Sequence, residues 1–490
     1  MDFVVLPVVT MIFFLSFLDK GNIGNARIDG LQRDLSMSDY HYSLLLTITF
    51  VPYILVELPS NLWLQRIGPD ILLPSMTVLW SIATTMQGVV TSYGGLLACR
   101  VFLGLFEGGL LPGITLYLAM FYPKDKLQLR ISIFFVSTTL AGAFSGLLAS
   151  AISHMDGVGG RPGWAWIFIL EGIFTFLFGV LSFFLLPRTP SHITLLTPAE
   201  KAHITNVLSN DVFPSSEHEF HCESRYQSSR SLDEKNAEMH HNINGHRQDN
   251  VDRGGVARNR IWRDVWRTMK MPHVWLCVVA GFFNGATLSG LAYFTPSIVA
   301  SLGYTANKAQ LMSVPPFVVA FVVSLVSSYL SDKYASRGLT IIVFAVVGVV
   351  GFGMFIGGGS HHPHVRYASL FFIMPSTYGT APPLAAWVSN NSRFPPFSLS
   401  SPTTPSSIIS SESSSTSHTP QATSIALLTI STNLGGILAT WLLGSWSRAP
   451  EWRVAGWVLG GFQVGVGVCA AMGVGVLVWK RGRGWEGYVL

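Results

Sequence analysis

Twelve apolar stretches recur along the chain, at roughly 3–25, 40–63, 71–91, 95–120, 128–152, 163–186, 271–300, 308–331, 338–358, 365–388, 423–446 and 452–479. A hydrocarbon core of ~30 Å is crossed by a helix of about 20 apolar residues. No backbone polar group can go unpaired in lipid, so segments of this length and number predict an all-α membrane protein with twelve transmembrane helices. Composition agrees: 12% of the 490 residues are charged and 49% are hydrophobic, whereas soluble domains average about 25% charged. A soluble enzyme is excluded. The formal charge of +5 does not point to nucleic acid, because the basic residues are scattered between the apolar segments rather than gathered on one face.

The segments fall as six plus six. Residues 1–186 form the expected N-terminal six-helix bundle, 187–270 a polar cytoplasmic linker, and 271–490 the C-terminal six-helix bundle. The centre of the linker is rich in Ser, His, Asn, Arg and Glu, too polar to bury a core of its own, so disorder is expected there. A second such stretch, 392–421, holds 12 Ser, 4 Thr and 5 Pro and reads as an insertion in the second bundle. Loops on the side of the two termini carry ten Lys and Arg, and the linker adds twelve, against seven on the opposite side. The positive-inside rule then places both termini in the cytoplasm. Met1 and Asp2 lead into the first apolar run without a basic start or a small-residue cleavage site, so that run is expected to stay as the first helix rather than leave as a signal peptide. The four cysteines and the loop histidines have no ligand spacing, and neither a metal nor a cofactor is expected.

Several local motifs narrow the reading. Arg100, Gly104, Glu107 and Gly108 in the fourth segment resemble the RxxxGxxEG element of the major facilitator superfamily. Asp332, Lys333 and Arg337, after the eighth segment, resemble that superfamily's gating loop. The counterpart after the second segment, around Arg66, lacks the usual acidic residue two places earlier. Within the superfamily, four further elements resemble the fungal anion:cation symporter family, which includes permeases for allantoate, nicotinate and pantothenate. They are Leu18 to Ala26, Glu57 to Asn61, Gly163 to Gly172 with Trp164, Trp166 and Glu171, and Pro187 to Pro190. The resemblance implies a major facilitator fold in the plasma membrane. It also implies a monomer that moves a small organic anion with protons by alternating access.

Charged residues inside the segments are few: Asp19, Lys20, Glu57, Arg100, Glu107 and Glu171, all in the first half. Each costs at least ~2.5 kcal/mol at membrane depth, so each needs a partner or a polar cavity. Arg100 and Glu107 are two turns apart on one helix face, ~10.5 Å along the axis. The resemblance carries proton uptake onto Asp19 and Glu107 and anion contact onto Lys20 and Arg100, with Asn25 beside them. Lys20 stands where the family more often has arginine and would meet a carboxylate as a point charge. Asn284, Tyr293, Tyr378 and Asn433 are the neutral polar contacts expected from the second half. Arg66, Asp332, Lys333 and Arg337 are the expected gate. Three alternatives stay open: an Asp19–Arg100 ion pair of purely structural use, a sensor of this fold that binds without transporting, and a facilitator of a neutral solute. Glu57 and Glu171 read as structural ion-pair or helix-end groups.

Overall fold

The structure is a computed structural model; it describes residues 2, 5–122, 124–188, 197, 201, 263, 265–334, 336–359, 362–392, 419–447 and 452–482. The centre of the linker and most of the 392–421 stretch lie outside the described residues.

Twelve long helices are present, and no strand occurs among the described residues. The first six are α1 (Val5–Ala26), α2 (Asp39–Ile67), α3 (Pro69–Gln87), α4 (Tyr93–Glu107 continuing as Leu110–Phe121), α5 (Lys124–Ile152) and α6 (Gly163–Leu185). The second six are α7 (Pro272–Ala300), α8 (Ala306–Tyr334), α9 (Arg337–Gly358), α10 (Pro363–Asn391), α11 (Thr419–Trp441) and α12 (Arg453–Gly482). Their bounds follow the apolar runs closely. Nine candidate spans among the described residues are long and apolar enough to cross a bilayer by length and hydropathy alone. Helices α2, α3 and α10 fall short because they carry polar groups inward: Glu57 on α2, Thr77, Ser81, Thr84 and Gln87 on α3, and Ser376, Thr377 and Thr380 on α10 are all buried. Many of these hydroxyls bond back to their own helix, as Thr77 does to the Leu73 carbonyl at 2.9 Å and Thr380 to that of Ser376 at 2.7 Å. Such back-bonding removes the cost of the hydroxyl without a partner helix.

Glycine and proline set the breaks. Gly68 takes φ 97° between α2 and α3, a conformation L side chains avoid, and Pro69 opens α3 where no N–H is needed. Helix α4 breaks at Gly108-Gly109, where it passes tightly over α2: a Cβ on Gly108 would stand 2.8 Å from the Tyr53 Cα. This close approach is the packing expected of small residues in a membrane interface.

Packing divides the chain into two halves. Helix α1 lies against α5 and α6, α3 against α6, and α2 against α4; in the second half α7 lies against α11 and α12, and α9 against α10 and α12. Across the halves, α5 meets α8, α2 meets α11, and α1 meets α7. The buried apolar residues show how the halves are joined. One cluster spans both of them and includes Ile23, Tyr42, Phe50 and Trp164 with Phe294, Tyr378, Leu443 and Trp452. It lies toward the face opposite the start of α1 and the end of α12. Toward the terminal face the core splits into one cluster confined to the first half, with Leu15, Leu110 and Phe134, and another confined to the second, with Val274, Trp387 and Leu477. Among the described residues, the halves are therefore joined on the face opposite the termini and have separate cores toward the terminal face.

Polar contacts follow the same division. Ser150 on α5 donates to Asn307 on α8 at 2.6 Å, and Asn307 donates to Ser153 at 3.3 Å. Ser43 and Ser445 stand 2.8 Å apart, and Thr47 and Thr440 3.1 Å apart, across α2 and the end of α11. Arg27, just past α1, bonds to Gln32 and Asp39 at 2.9 and 2.7 Å. Its guanidinium lies 4.3 Å from the Tyr42 ring and 5.6 Å from the Phe294 ring of the second half. Interhelical hydrogen bonds in membranes contribute about 0.6–1.7 kcal/mol each. Asn307→Ala is expected to weaken the closed face by about 1–2 kcal/mol, roughly a tenfold shift toward the state open on that side. Labelling of a cysteine introduced near Ser153 by an impermeant maleimide measures this; equal labelling rates with and without the substitution would refute it.

Candidate functional site

Five ionisable side chains of the first half, Asp19, Lys20, Arg100, Glu107 and Glu171, converge between α1, α3, α4 and α6. Lys20 and Glu107 form an ion pair at 2.9 Å, and Ser16 also donates to the same Glu107 oxygen. The ammonium lies over two rings, 4.6 Å from Phe17 and 5.1 Å from Tyr53. The four-carbon stem of lysine carries the charge from its place on α1 to the depth of Glu107. The expected alternative of an Asp19–Arg100 ion pair is not what the structure contains. Asp19 accepts from Thr84 at 3.2 Å, and its other oxygen has no hydrogen-bond partner.

Arg100 has an unusual environment for a guanidinium. It is 2% exposed, and its Nε and one terminal nitrogen are buried with no hydrogen-bond partner. Phe168 of α6 lies 5.9 Å from the guanidinium carbon. Close enough to act on the Arg100 charge are Tyr293, Tyr42, Asp19 and Glu107. Tyr293 belongs to α7, so Arg100 faces the boundary between the halves. A buried cation with unused donors is costly unless an anion completes it.

Next to these groups, a cavity is lined by Phe17, Gly21, Asn25 and Ser145 of the first half and by Phe317 and Tyr378 of the second. Asn25 donates to Ser145 at 2.7 Å, and Ser145 donates to Asn22 at 3.0 Å. Gly21 makes room for this contact, since a Cβ there would fall 2.6 Å from the Ser145 hydroxyl. One amide atom each of Asn22 and Asn25 remains unpartnered. Phe317 and Tyr378 meet edge to face at 5.8 Å, which gives the second-half wall an aromatic surface.

Of the residues expected at the site, Asp19, Lys20, Arg100 and Glu107 cluster, with Tyr293 facing them, and Asn25 and Tyr378 line the adjoining cavity. Asn284 is buried with its amide oxygen unpartnered, and Asn433 has an unpartnered amide nitrogen; neither lines that cavity. Lys333 is exposed at the end of α8, and Arg337 is buried at the start of α9. The side chains of Arg66 and Asp332 lie outside the described residues. Sequence reading missed Asn22, Ser145, Asn307 and Phe317, which carry no charge to mark them. Arg27 is a further residue that the sequence does not mark out from the other charges between the segments. Among the described residues no three His, Cys, Asp or Glu side chains converge as a metal site.

Two six-helix halves, closed together on one face and divided on the other around a buried charged centre, define a multi-pass membrane transporter rather than an enzyme. Residues 9–401 match the family described as Major Facilitator Superfamily, and the chain belongs to it. Over 80% of its length it is 30% identical to an uncharacterized transporter of Schizosaccharomyces pombe, of which it covers 70%. The major facilitator-type transporter hxnP of Emericella nidulans is 29% identical over 92% of this chain and 85% of that one. A structure of the xylose transporter XylE from E. coli in an inward open conformation superposes with a TM-score of 0.63. It has 13% identity, with 96% of each chain covered. That likeness is one of fold.

Proposed function

We propose that the protein is a proton-coupled symporter of a small organic anion, a carboxylate of the size of nicotinate, allantoate or pantothenate, which Arg100 binds at the boundary between the halves. The observation that carries this reading is the buried guanidinium with two unpartnered nitrogens. A carboxylate accepts two parallel N–H bonds from such a fork. The adjoining cavity is lined by the Asn25 amide, the Ser145 hydroxyl and the rings of Phe17, Phe317 and Tyr378, a mixed polar and aromatic wall that would face an aromatic carboxylate once the halves part.

Of the two carboxylates to which the resemblance gives proton uptake, Glu107 is already compensated by Lys20, so Asp19 is the one we assign to the proton. The termini lie in the cytoplasm of a cell whose plasma membrane the protein spans. The gate that the resemblance gives to Arg66, Asp332, Lys333 and Arg337 closes the terminal side when the other face opens. Uptake of labelled nicotinate, allantoate and pantothenate by cells expressing the protein tests the reading. We expect one of them to accumulate and a protonophore to abolish accumulation. Accumulation indifferent to the protonophore would refute the coupling, and uptake of a neutral sugar alone would refute the anion.

A further inference from the structure

Glu171 reaches the charged centre from α6. It stands one residue before Gly172, where α6 is pressed onto α3: a Cβ there would lie 2.7 Å from the Thr85 amide nitrogen and 2.9 Å from its Cα. That contact fixes the register of α6. Phe168, three residues earlier on the same helix face, lies beside Arg100, so this face looks into the site. Asp19 of α1 accepts from Thr84 of α3 at 3.2 Å, and Gly172 packs on the next residue, Thr85, so where α1 lies against α6 the carboxyls of Asp19 and Glu171 come together beside one turn of α3. Asp19 and Glu171 are 4% and 6% exposed, and one oxygen of each has no hydrogen-bond partner.

The charged groups around the pair are few. Helix α4 presents Arg100 and Glu107, both of which act on Asp19, and α1 presents Lys20, which is held by Glu107. Helix α3 presents Thr84 and Trp80, which carry no charge, and among the described residues Asp19 is the charged group that acts on Glu171. Among the described residues no cation stands within ion-pair distance of either carboxyl. Two carboxylates brought together in a dry site repel each other, and sharing one proton relieves that repulsion.

We propose that Asp19 and Glu171 together form the proton carrier, a single carboxyl pair whose charge alternates between −1 and 0, with Glu107 serving only as counter-ion to Lys20. The charge count supports this. Without substrate, a singly protonated pair (−1) balances Arg100 (+1). When a carboxylate binds Arg100, the pair loses its compensation and takes a second proton from water on the open face, an O–H bond breaking in the hydronium and forming on the carboxyl. The loaded site is again neutral. Release of anion and proton on the other side reverses both steps, one proton for each monoanion. A buried centre that stays neutral in both states avoids the cost of moving net charge through the membrane. The anion half of this cycle rests on the function proposed above; the shared proton does not.

The test uses the purified full-length protein and four variants. Infrared difference spectra of the substrate-free protein near neutral pH are expected to show the carbonyl band of a protonated carboxylic acid that shifts in D₂O. The band should lose the pair's share of its intensity in Glu171→Gln, whose remaining carboxylate of the pair is ionised against Arg100; any share from the buried, unpartnered Glu57 carboxyl of α2 is identified with Glu57→Gln and subtracted. This readout needs no substrate, so it stands even if no tested anion is carried. In proteoliposomes, Asp19→Asn and Glu171→Gln, each retaining one titratable carboxyl, should still concentrate the anion with a shifted pH profile. The double variant should lose all accumulation yet still exchange labelled for unlabelled anion, which shows that it folds. A band unchanged in Glu171→Gln, or complete loss of accumulation in Asp19→Asn alone, would overturn the pairing.

Discussion

Arg100→Ala is expected to lose substrate binding almost entirely. Removing one partner of a buried, hydrogen-bonded charge pair costs about 2–5 kcal/mol; at 3 kcal/mol, affinity falls roughly a hundredfold. The same substitution removes a guanidinium that is only 2% exposed and has unpartnered nitrogens, and a second proton on the Asp19–Glu171 pair restores neutrality, so the protein without substrate should lose little stability and purify normally. Arg100→Lys should recover only part of the affinity, because an ammonium meets a carboxylate as a point charge rather than a fork. Equilibrium binding of the labelled anion to purified protein measures both. An Arg100→Ala protein that binds the anion as tightly as wild type would move the anion site elsewhere.

Lys20→Met is expected to do the opposite, harming the fold first. It strands Glu107, which is 1% exposed and has one oxygen already unpartnered. Breaking a buried ion pair from one side costs about 3–5 kcal/mol, whereas replacing both partners is often near neutral. The combination Lys20→Met with Glu107→Gln should therefore recover most of the lost stability. Thermal unfolding of the two single variants and the double variant in detergent gives the coupling as a double-mutant cycle. Additive losses would contradict the pairing. The contrast between Arg100 and Lys20 separates a cation that serves the ligand from one that serves the structure.

Much of this architecture was readable from the sequence, because membrane thickness and backbone hydrogen bonding leave few options for apolar runs of 20 to 30 residues. The break in α4 was foreshadowed by Gly108 and Gly109. What periodicity could not supply was the rotation of one helix against another. The seven-residue spacing puts Arg100 and Glu107 on one face of α4, but nothing in it says whether Asp19 or Lys20 of α1 meets that face. The outcome turned on the length of the lysine stem, which reaches Glu107 and leaves Arg100 without an ion-pair partner. Glu171 looked structural for a similar reason: its partner lies on α1, and only the approach of α6 to α3 at Gly172 brings the two together. The closed face was hidden because its polar contacts are serine, threonine and asparagine, which the sequence uses throughout as self-bonded hydroxyls and amides.

The most direct measurement is the pH inside proteoliposomes carrying a trapped pH indicator, followed as the anion is added outside with membrane potential clamped at zero. Anion entering with a proton should acidify the lumen in step with its uptake, and the acidification should vanish in Arg100→Ala. Anion uptake that leaves the lumenal pH unchanged would contradict the account.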